Sequence, residues 1–174
     1  VSIDENRIAL DGSVRLPADL GRQVDVSATQ LLGTAPEQRV WDIDVEARDV
    51  LLGGWAQLHD ALEGRVLAGE GDIDISVAVG AGGLRRASAE ADLYDVKLVE
   101  DEAFEIAGRF EYERSDEGWF VALEQLALAT ADYSWPTSSL RAEGATDVDG
   151  SLAVVNLEAS YLRLDDSALF LPLL

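Results

Sequence analysis

One apolar spacing recurs four times along the chain, with successive steps of two, two, three and two residues. Steps of two predict a strand with one apolar face, because successive side chains of a strand point to opposite sides. The four copies are Ile43, Val45, Ala47, Val50 and Leu52; Ala89, Ala91, Leu93, Val96 and Leu98; Trp119, Val121, Leu123, Leu126 and Leu128; and Val155, Leu157, Ala159, Leu162 and Leu164. The pattern therefore predicts a sheet with one apolar side.

The step of three decides how these strands behave. One extra residue would turn every later side chain to the other face, unless a β-bulge absorbs it and bends the strand. Bulges in several strands would bend the whole sheet into a trough with an apolar inner side. Alternatively, each strand ends near the step of three and the last apolar pair belongs to a turn. An incomplete fifth copy runs through Val24, Val26, Ala28 and Leu31 to Gly33.

The remaining pattern predicts short strands joined by turns, without a βαβ rhythm. Predicted strands cover 8–16, 22–32, 39–52, 71–79, 84–99, 104–112, 119–128, a short stretch around Leu140, and 152–164. Helical spacing from Trp55 to Leu62 predicts a short helix that ends at Gly64, and residues 169–174 resemble the start of a second. We therefore expect a mainly β fold, a curved antiparallel meander sheet that forms an open groove, half-barrel or taco-like, with one or two short helices.

Two parts of the chain resemble each other. Residues 43–47, followed by a predicted helix, are similar to residues 155–159, also followed by one, 112 positions later. This indicates a structural repeat in a longer array. The sequence starts with Val1 and stops inside a predicted helix. We expect 1–174 to be a single β-groove segment, excised from a longer membrane-anchored protein.

Charge narrows the choice of partners. The chain has 34 acidic and 13 basic residues, for a formal net charge of −21. Nucleic acid is not an expected partner, because its phosphates require clustered Lys and Arg. The acids alternate with apolar residues along the predicted strands, which is typical of a solvated outer face. Cysteine is absent, which excludes disulfides and thiolate metal sites. No apolar run reaches the length of a bilayer-spanning helix.

The sequence offers little for catalysis. His59 is the sole histidine and has no second ligand nearby, so we expect no metal site there. The run Asp147-Val-Asp149-Gly150 resembles the opening of a calcium loop, but it lacks the Glu at the twelfth position. The stretch Gly-Ala-Gly-Gly at 80–83 is not followed by the Lys-Ser/Thr of a phosphate loop. We therefore expect no enzyme, no catalytic residue and no cofactor.

A series of short motifs, in order along most of the chain, resembles one family. These motifs are Val-Arg-Leu-Pro at 14–17, Trp-x-Ile-x-Val-x-Ala-x-Asp-Val at 41–50, Gly-Asp-Ile at 71–73, Asp-Leu-Tyr-Asp-Val at 92–96, Gly-Trp at 118–119, Trp-Pro-x-Ser-Ser at 135–139, Tyr-Leu-Arg-Leu at 161–164 and Leu-Pro-Leu at 171–173. Together they resemble the YhdP branch of the AsmA-like proteins, which are built from repeating β-grooves. The acidic composition exceeds what that family leads us to expect.

The resemblance implies a function. Such proteins are periplasmic bridges of Gram-negative cells, tethered to the inner membrane, that carry phospholipids toward the outer membrane and support its permeability barrier. The expected partners are phospholipid acyl chains and neighbouring repeats of the same chain. Membrane contact is expected only through parts of the longer protein that lie outside residues 1–174. The expected groove lining is Ile43, Val45, Ile73, Ile75, Phe104, Ile106, Phe110, Val121, Leu123, Val155 and Leu157. The alternative is a closed β-sandwich that binds a glycan or a protein partner, with apolar faces packed on each other.

Overall fold

The computed structural model describes residues 2–3, 7–31, 39–59, 64–98, 103–115, 118–146 and 152–161. These form ten strands and one short helix. The strands are β1 (Ser2–Ile3), β2 (Arg7–Arg15), β3 (Gln23–Leu31), β4 (Val40–Leu51), β5 (Ala68–Gly80), β6 (Gly83–Lys97), β7 (Ala103–Arg114), β8 (Gly118–Thr130), β9 (Ser138–Thr146) and β10 (Leu152–Ala159), and the helix is α1 (Leu52–Gln57). The predicted mainly β class is confirmed.

All ten strands belong to one antiparallel sheet. Each strand pairs with the one before it in the chain, from β1 at one edge to β10 at the other. The two edges do not pair, so this meander is not closed into a barrel. The described strands form a single sheet, and two sheets packed face to face are therefore not the architecture of this part of the chain.

The three complete steps of three within the described strands are β-bulges. On β4, Arg48 and Asp49 together face the single residue Asp72 of β5. The other two bulges consist of Tyr94 and Asp95 on β6, which face Glu105 of β7, and of Glu124 and Gln125 on β8, which face Ser139 of β9. Each bulge absorbs one residue, so the apolar pattern continues on the same face. The predicted bulges are confirmed at these three positions.

The bulges have a common backbone signature. Asp49 and Asp95 have φ of 51°, and Gln125 has φ of 53°. This left-handed region costs an L residue about 1–2 kcal/mol, and Asp enters it more readily than most residues. We call the row formed by Asp49, Asp95 and Gln125 the bulge line. A bulge bends its strand and increases the twist. Because β4, β6 and β8, every second strand, each have one, the sheet curves along this line.

Glycines on the intervening strands accommodate the bulges. The bulge of β6 also shifts the register between β6 and β5, at Gly69 of β5. In the same way, the bulge of β8 shifts the register between β8 and β7, at Gly108 of β7. A Cβ on Gly69 would lie 2.8 Å from the Leu52 side chain, and a Cβ on Gly71 would collide with the carbonyl oxygen of Asp92. A side chain at Gly71 would therefore push apart two backbones that meet next to the bulge line.

Two further copies of the pattern behave differently. β3 pairs with β2 and β4 in constant register, so the step from Ala28 to Leu31 contains no bulge. Leu31 consequently falls on the opposite face and is exposed. In the last copy, the step of three ends at Leu162, outside the described residues. β10 does have a register shift, but it lies earlier, between Val154 and Asn156.

The predicted helix begins earlier than expected. It starts at Leu52 and includes Gly53 and Gly54, which the sequence pattern assigned to a break. A Cβ on Gly53 would lie 2.6 Å from the carbonyl oxygen of Leu67, and one on Gly54 would collide with that of Asp19. The glycines are present because two loops pack onto the helix backbone. The second predicted helix, at 169–174, lies outside the described residues.

The bulge line divides the sheet into two halves. The packed half lies next to α1, and its apolar side chains form a small core in which Val96 is 3% exposed and Phe104 is 6% exposed. Partly buried Leu52 and Val66 pack against this core. The open half extends from the bulge line to the turns that join β5 to β6 and β7 to β8. There Ile75, on the apolar face of β5, is 38% exposed.

Candidate lipid-binding face

The strand register brings apolar side chains of nine strands onto one surface. Residues directly opposite each other in an antiparallel pair project to the same side. Val45 of β4 pairs with Val26 and Ile75, and Phe110 of β7 pairs with Ala89 and Leu123. This relation extends to Leu10 on β2 and to Leu157 on β10 through the intervening pairs. We call this surface the apolar face, and the opposite one the polar face.

The apolar face has almost no charge. Every Asp and Glu in the described strands lies on the polar face or at a register irregularity, as the pairings show. Among the basic residues of these strands, Arg114 at the end of β7 is the exception, since it pairs with Trp119 on the apolar face. The face is therefore largely apolar, and polar side chains on it such as Gln30 and Tyr112 are of uncharged types.

The structure places the eleven predicted lining residues as follows. Nine lie on the apolar face of the sheet and are at least partly accessible, namely Ile43, Val45, Ile73, Ile75, Ile106, Phe110, Val121, Leu123 and Leu157. Phe104 shares the face but is buried in the packed half, so it contributes core instead of accessible surface. The side chain of Val155 lies outside the described part of the structure.

The register adds residues that the predicted lining lacks. Val77 pairs with Ile43, and Leu140, which is 40% exposed, pairs with Leu123. Val26 on β3 extends the surface beyond β4. Leu140 belongs to β9, whose alternation of Leu, Ala and Gly is too weakly apolar to reveal its full length. Pairing with Leu123 of β8 identifies Leu140 as a residue of the apolar face, and strand pairing is the signal that could have predicted it.

The polar face is held by hydrogen bonds and ion pairs. Asp44 accepts hydrogen bonds from the hydroxyls of Ser27 and Ser76, at 3.4 Å and 2.6 Å, one from each neighbouring strand. Arg48 lies 2.7 Å from a carboxylate oxygen of Asp74, and this hydrogen bond raises the pKa of the guanidinium. Arg86 of β6 reaches Asp42 of β4 at 3.5 Å across the intervening strand. These contacts link neighbouring strands on the polar face.

The bulge line also concentrates charge on this side. Arg22 pairs with Asp49 at 3.0 Å, and the backbone N–H of Asp49 donates to Asp72 at 2.9 Å. The nearby carboxylate of Glu70 raises the pKa of the Tyr94 hydroxyl. The bulges thus present polar groups to water while the strands that contain them keep their apolar side chains on the other face.

The remaining candidates for chemistry acquire no partners in the described part of the chain. His59 is exposed and lies two residues after the end of α1. No group of three His, Cys, Asp or Glu side chains in the described residues is arranged to hold a metal ion, and Asp147 and Asp149 lie outside those residues. Among the described residues, no helix has the length and apolar character needed to cross a bilayer.

The fold and the face define an open, single-layer β-sheet with one apolar and one acidic side. Comparisons with family models, with curated proteins and with solved structures found no match. A functional conclusion therefore depends on the physical properties of the face and on the sequence motifs.

Proposed function

We propose that this chain is a segment of a lipid conduit whose apolar face shelters phospholipid acyl chains during passage between two membranes. The observation that carries this proposal is the accessible apolar face, continuous across nine strands, with Ile75 and Phe110 each 38% exposed near its centre. Contiguous apolar surfaces of this kind are rare on proteins that do not use them for binding.

The energetics of lipid transfer fit such a surface. Each methylene moved from water to an apolar environment gains about 0.8 kcal/mol, so a chain of about 16 carbons requires roughly 12 kcal/mol of shelter. Val, Ile, Leu, Ala and Phe side chains provide this shelter without directional bonds. A lipid can move along such a surface, because no position on it binds the hydrocarbon much more tightly than the next.

The dimensions also fit a conduit. Nine full strands at about 4.8 Å each extend the sheet by roughly 40 Å. The motifs that resemble those of the YhdP branch of the AsmA-like proteins support a periplasmic location, an inner-membrane tether and neighbouring repeats that continue the groove. Within this proposal the protein has no catalytic role and no cofactor.

Photo-crosslinking at paired positions tests the proposal. A benzophenone amino acid replaces Ile75 or Phe110 on the apolar face, and the matched controls carry it at Ser76 or Glu111, the next residue in the same strand. After incubation with phospholipid vesicles and illumination, we expect lipid adducts at positions 75 and 110 and none at 76 and 111, as resolved by mass spectrometry. Equal adducts at matched positions, or no adduct at any of them, would contradict the proposal. Complete absence of adducts would favour a module that binds a glycan or a protein partner.

A further inference from the structure

The apolar face is covered at one end of its central strands and open at the other. On β4 to β8, the large side chains of this face that are buried lie beyond the bulge line, on the side of α1. They are Val50, Val96, Phe104 and Leu128. The exposed ones, Ile75, Leu84 and Phe110, lie between the bulge line and the turns. Burial on this face therefore changes along the strands.

The covered end is formed by the connection between β4 and β5. Sixteen residues join these strands at this end, whereas a two-residue turn joins β5 to β6 at the other. Leu52 and Val66 of the long connection pack onto buried side chains of the apolar face. We call the resulting cluster the end wall, and its members are Leu52, Val66, Val96, Leu98 and Phe104.

Backbone contacts hold α1 in place at the end wall. The carbonyl oxygen of Leu20 accepts hydrogen bonds from the indole N–H of Trp55 at 2.8 Å and from the backbone N–H of Leu51 at 3.1 Å. Gly53 and Gly54 let two loops approach the helix so closely that a Cβ at either position would meet a carbonyl oxygen. Hydrocarbon on the open half cannot pass beyond the end wall without displacing these contacts.

The open end has the composition of a border with water. Trp41 on β4 and Tyr112 on β7 lie on the apolar face near the turns, and Gln30 pairs with Trp41. Trp and Tyr are enriched where an apolar region meets water, because their rings are apolar and their N–H and O–H groups are polar. The polar part of a lipid can therefore stay in water at this end.

We propose that acyl chains lie along the strands of the open half, with their methyl ends against the end wall and their polar ends at the turns. The end wall then limits the length of chain that the face shelters. This inference rests on the proposed function and adds the orientation and chain-length specificity of the lipid. A lipid that moves from strand to strand keeps its methyl end at the wall and its headgroup in water.

The dimensions of the open half fit this orientation. From Ile73, next to the bulge line, to Val79 at the turn, β5 runs for about 20 Å at 3.3 Å per residue. One leaflet of a bilayer contributes about 15 Å of hydrocarbon, so the chain of an ordinary phospholipid fits between the end wall and the turns. The reverse orientation is disfavoured, because an ester group at the end wall would lose its hydrogen bonds to water.

Two photoreactive phosphatidylcholines test the orientation. One carries a diazirine at the methyl end of its acyl chain, and the other carries it next to the ester. The whole chain is incubated with vesicles of either lipid and illuminated, and mass spectrometry of its peptides locates the adducts. We expect the methyl-end probe to label Ile73 about tenfold more than Val79, and the ester-end probe to show the opposite preference, because the ester stays hydrated.

A matched pair of variants tests the end wall as a stop. Ala91 and Ala87 lie on the same strand and face, but Ala91 pairs with Ile73 beside the bulge line and Ala87 with Val77 nearer the turn. Ala91→Phe should move the methyl-end label two residues along β5, from Ile73 to Ile75, or about 7 Å. Ala87→Phe should leave that label at Ile73. Circular dichroism checks that both variants fold, and the two-probe comparison on the unmodified chain requires neither of them.

The outcomes separate the two proposals. If neither probe labels the apolar face, the proposed function fails and the orientation with it. If both probes label Ile73 and Val79 equally, or if their preferences are reversed, the face still shelters acyl chains but the proposed orientation is wrong. An unchanged label in Ala91→Phe, or an equal shift in Ala87→Phe, would show that the end wall does not determine where the chain stops.

Discussion

Phe104 and Phe110 lie on the same strand and the same face, but they have different environments. Phe104, in the packed half, is 6% exposed and contacts a cluster with Val96 and Leu98. Phe110, in the open half, is 38% exposed and lies between its paired residues Ala89 and Leu123 on the neighbouring strands. The bulge line separates the two. The difference indicates that the packed half stabilises the fold and thereby allows the open half to keep its apolar side chains uncovered.

The largest expected effect comes from truncating these two phenylalanines. Phe104→Ala should lower the free energy of unfolding by about 3–5 kcal/mol, because it leaves a cavity in the packed half. Phe110→Ala should lower it by about 1 kcal/mol, because that side chain remains partly in water in the folded state. Urea denaturation of both variants measures the difference. Equal losses would show that the two halves do not differ in packing.

The glycines next to the bulge line give the second comparison. Gly71→Ala should destabilise the protein by about 2–3 kcal/mol, because the added Cβ forces the β5 and β6 backbones apart. Gly12→Ala on β2 is the control, since a Cβ there meets nothing within 4 Å. The control should be neutral or slightly stabilising. A neutral Gly71→Ala in thermal or urea unfolding would mean that the strands do not approach as closely as described.

The smallest effect tests the backbone of the bulge line itself. Gln125 has φ of 53° without the short side chain that helps Asp49 and Asp95 adopt this region. Gln125→Gly should stabilise the protein by about 0.5–1 kcal/mol, after the extra flexibility of glycine in the unfolded chain is subtracted. Gln125→Val should destabilise it, because a β-branched residue is poorly accommodated there. Urea unfolding measures both variants. If Gln125→Val were more stable than Gln125→Gly, Gln125 would have an ordinary strand conformation.

The sequence predicted the sheet and its bulges because both leave a direct mark on apolar spacing. A strand buried on one face requires alternation, and an extra residue at Arg48–Asp49, Tyr94–Asp95 or Glu124–Gln125 shifts that alternation by one. β3 shows the limit of this reasoning. Leu31 is an apolar residue three positions after Ala28, so the sequence pattern resembles a step of three. The constant register of β3 with β2 and β4 shows instead that Leu31 lies on the opposite face of the sheet.

Features set by close approach of backbones were not predictable from spacing. Gly53 and Gly54 indicated a chain break, whereas they lie in α1 because Leu67 and Asp19 pack against them. On β9, Gly144 weakened the strand pattern, yet it is required because the Trp119 ring and the carbonyl oxygen of Ala153 occupy the space of a Cβ.

The bulges of the bulge line occur on β4, β6 and β8, while the strands next to them supply the single residues or glycines opposite. The smallest self-consistent module of this architecture is thus a hairpin with one kinked and one straight arm. Its width is about 9.6 Å. Growth or loss of the sheet by whole modules preserves both the curvature and the direction in which each arm runs, whereas a change of one arm would place two kinks side by side.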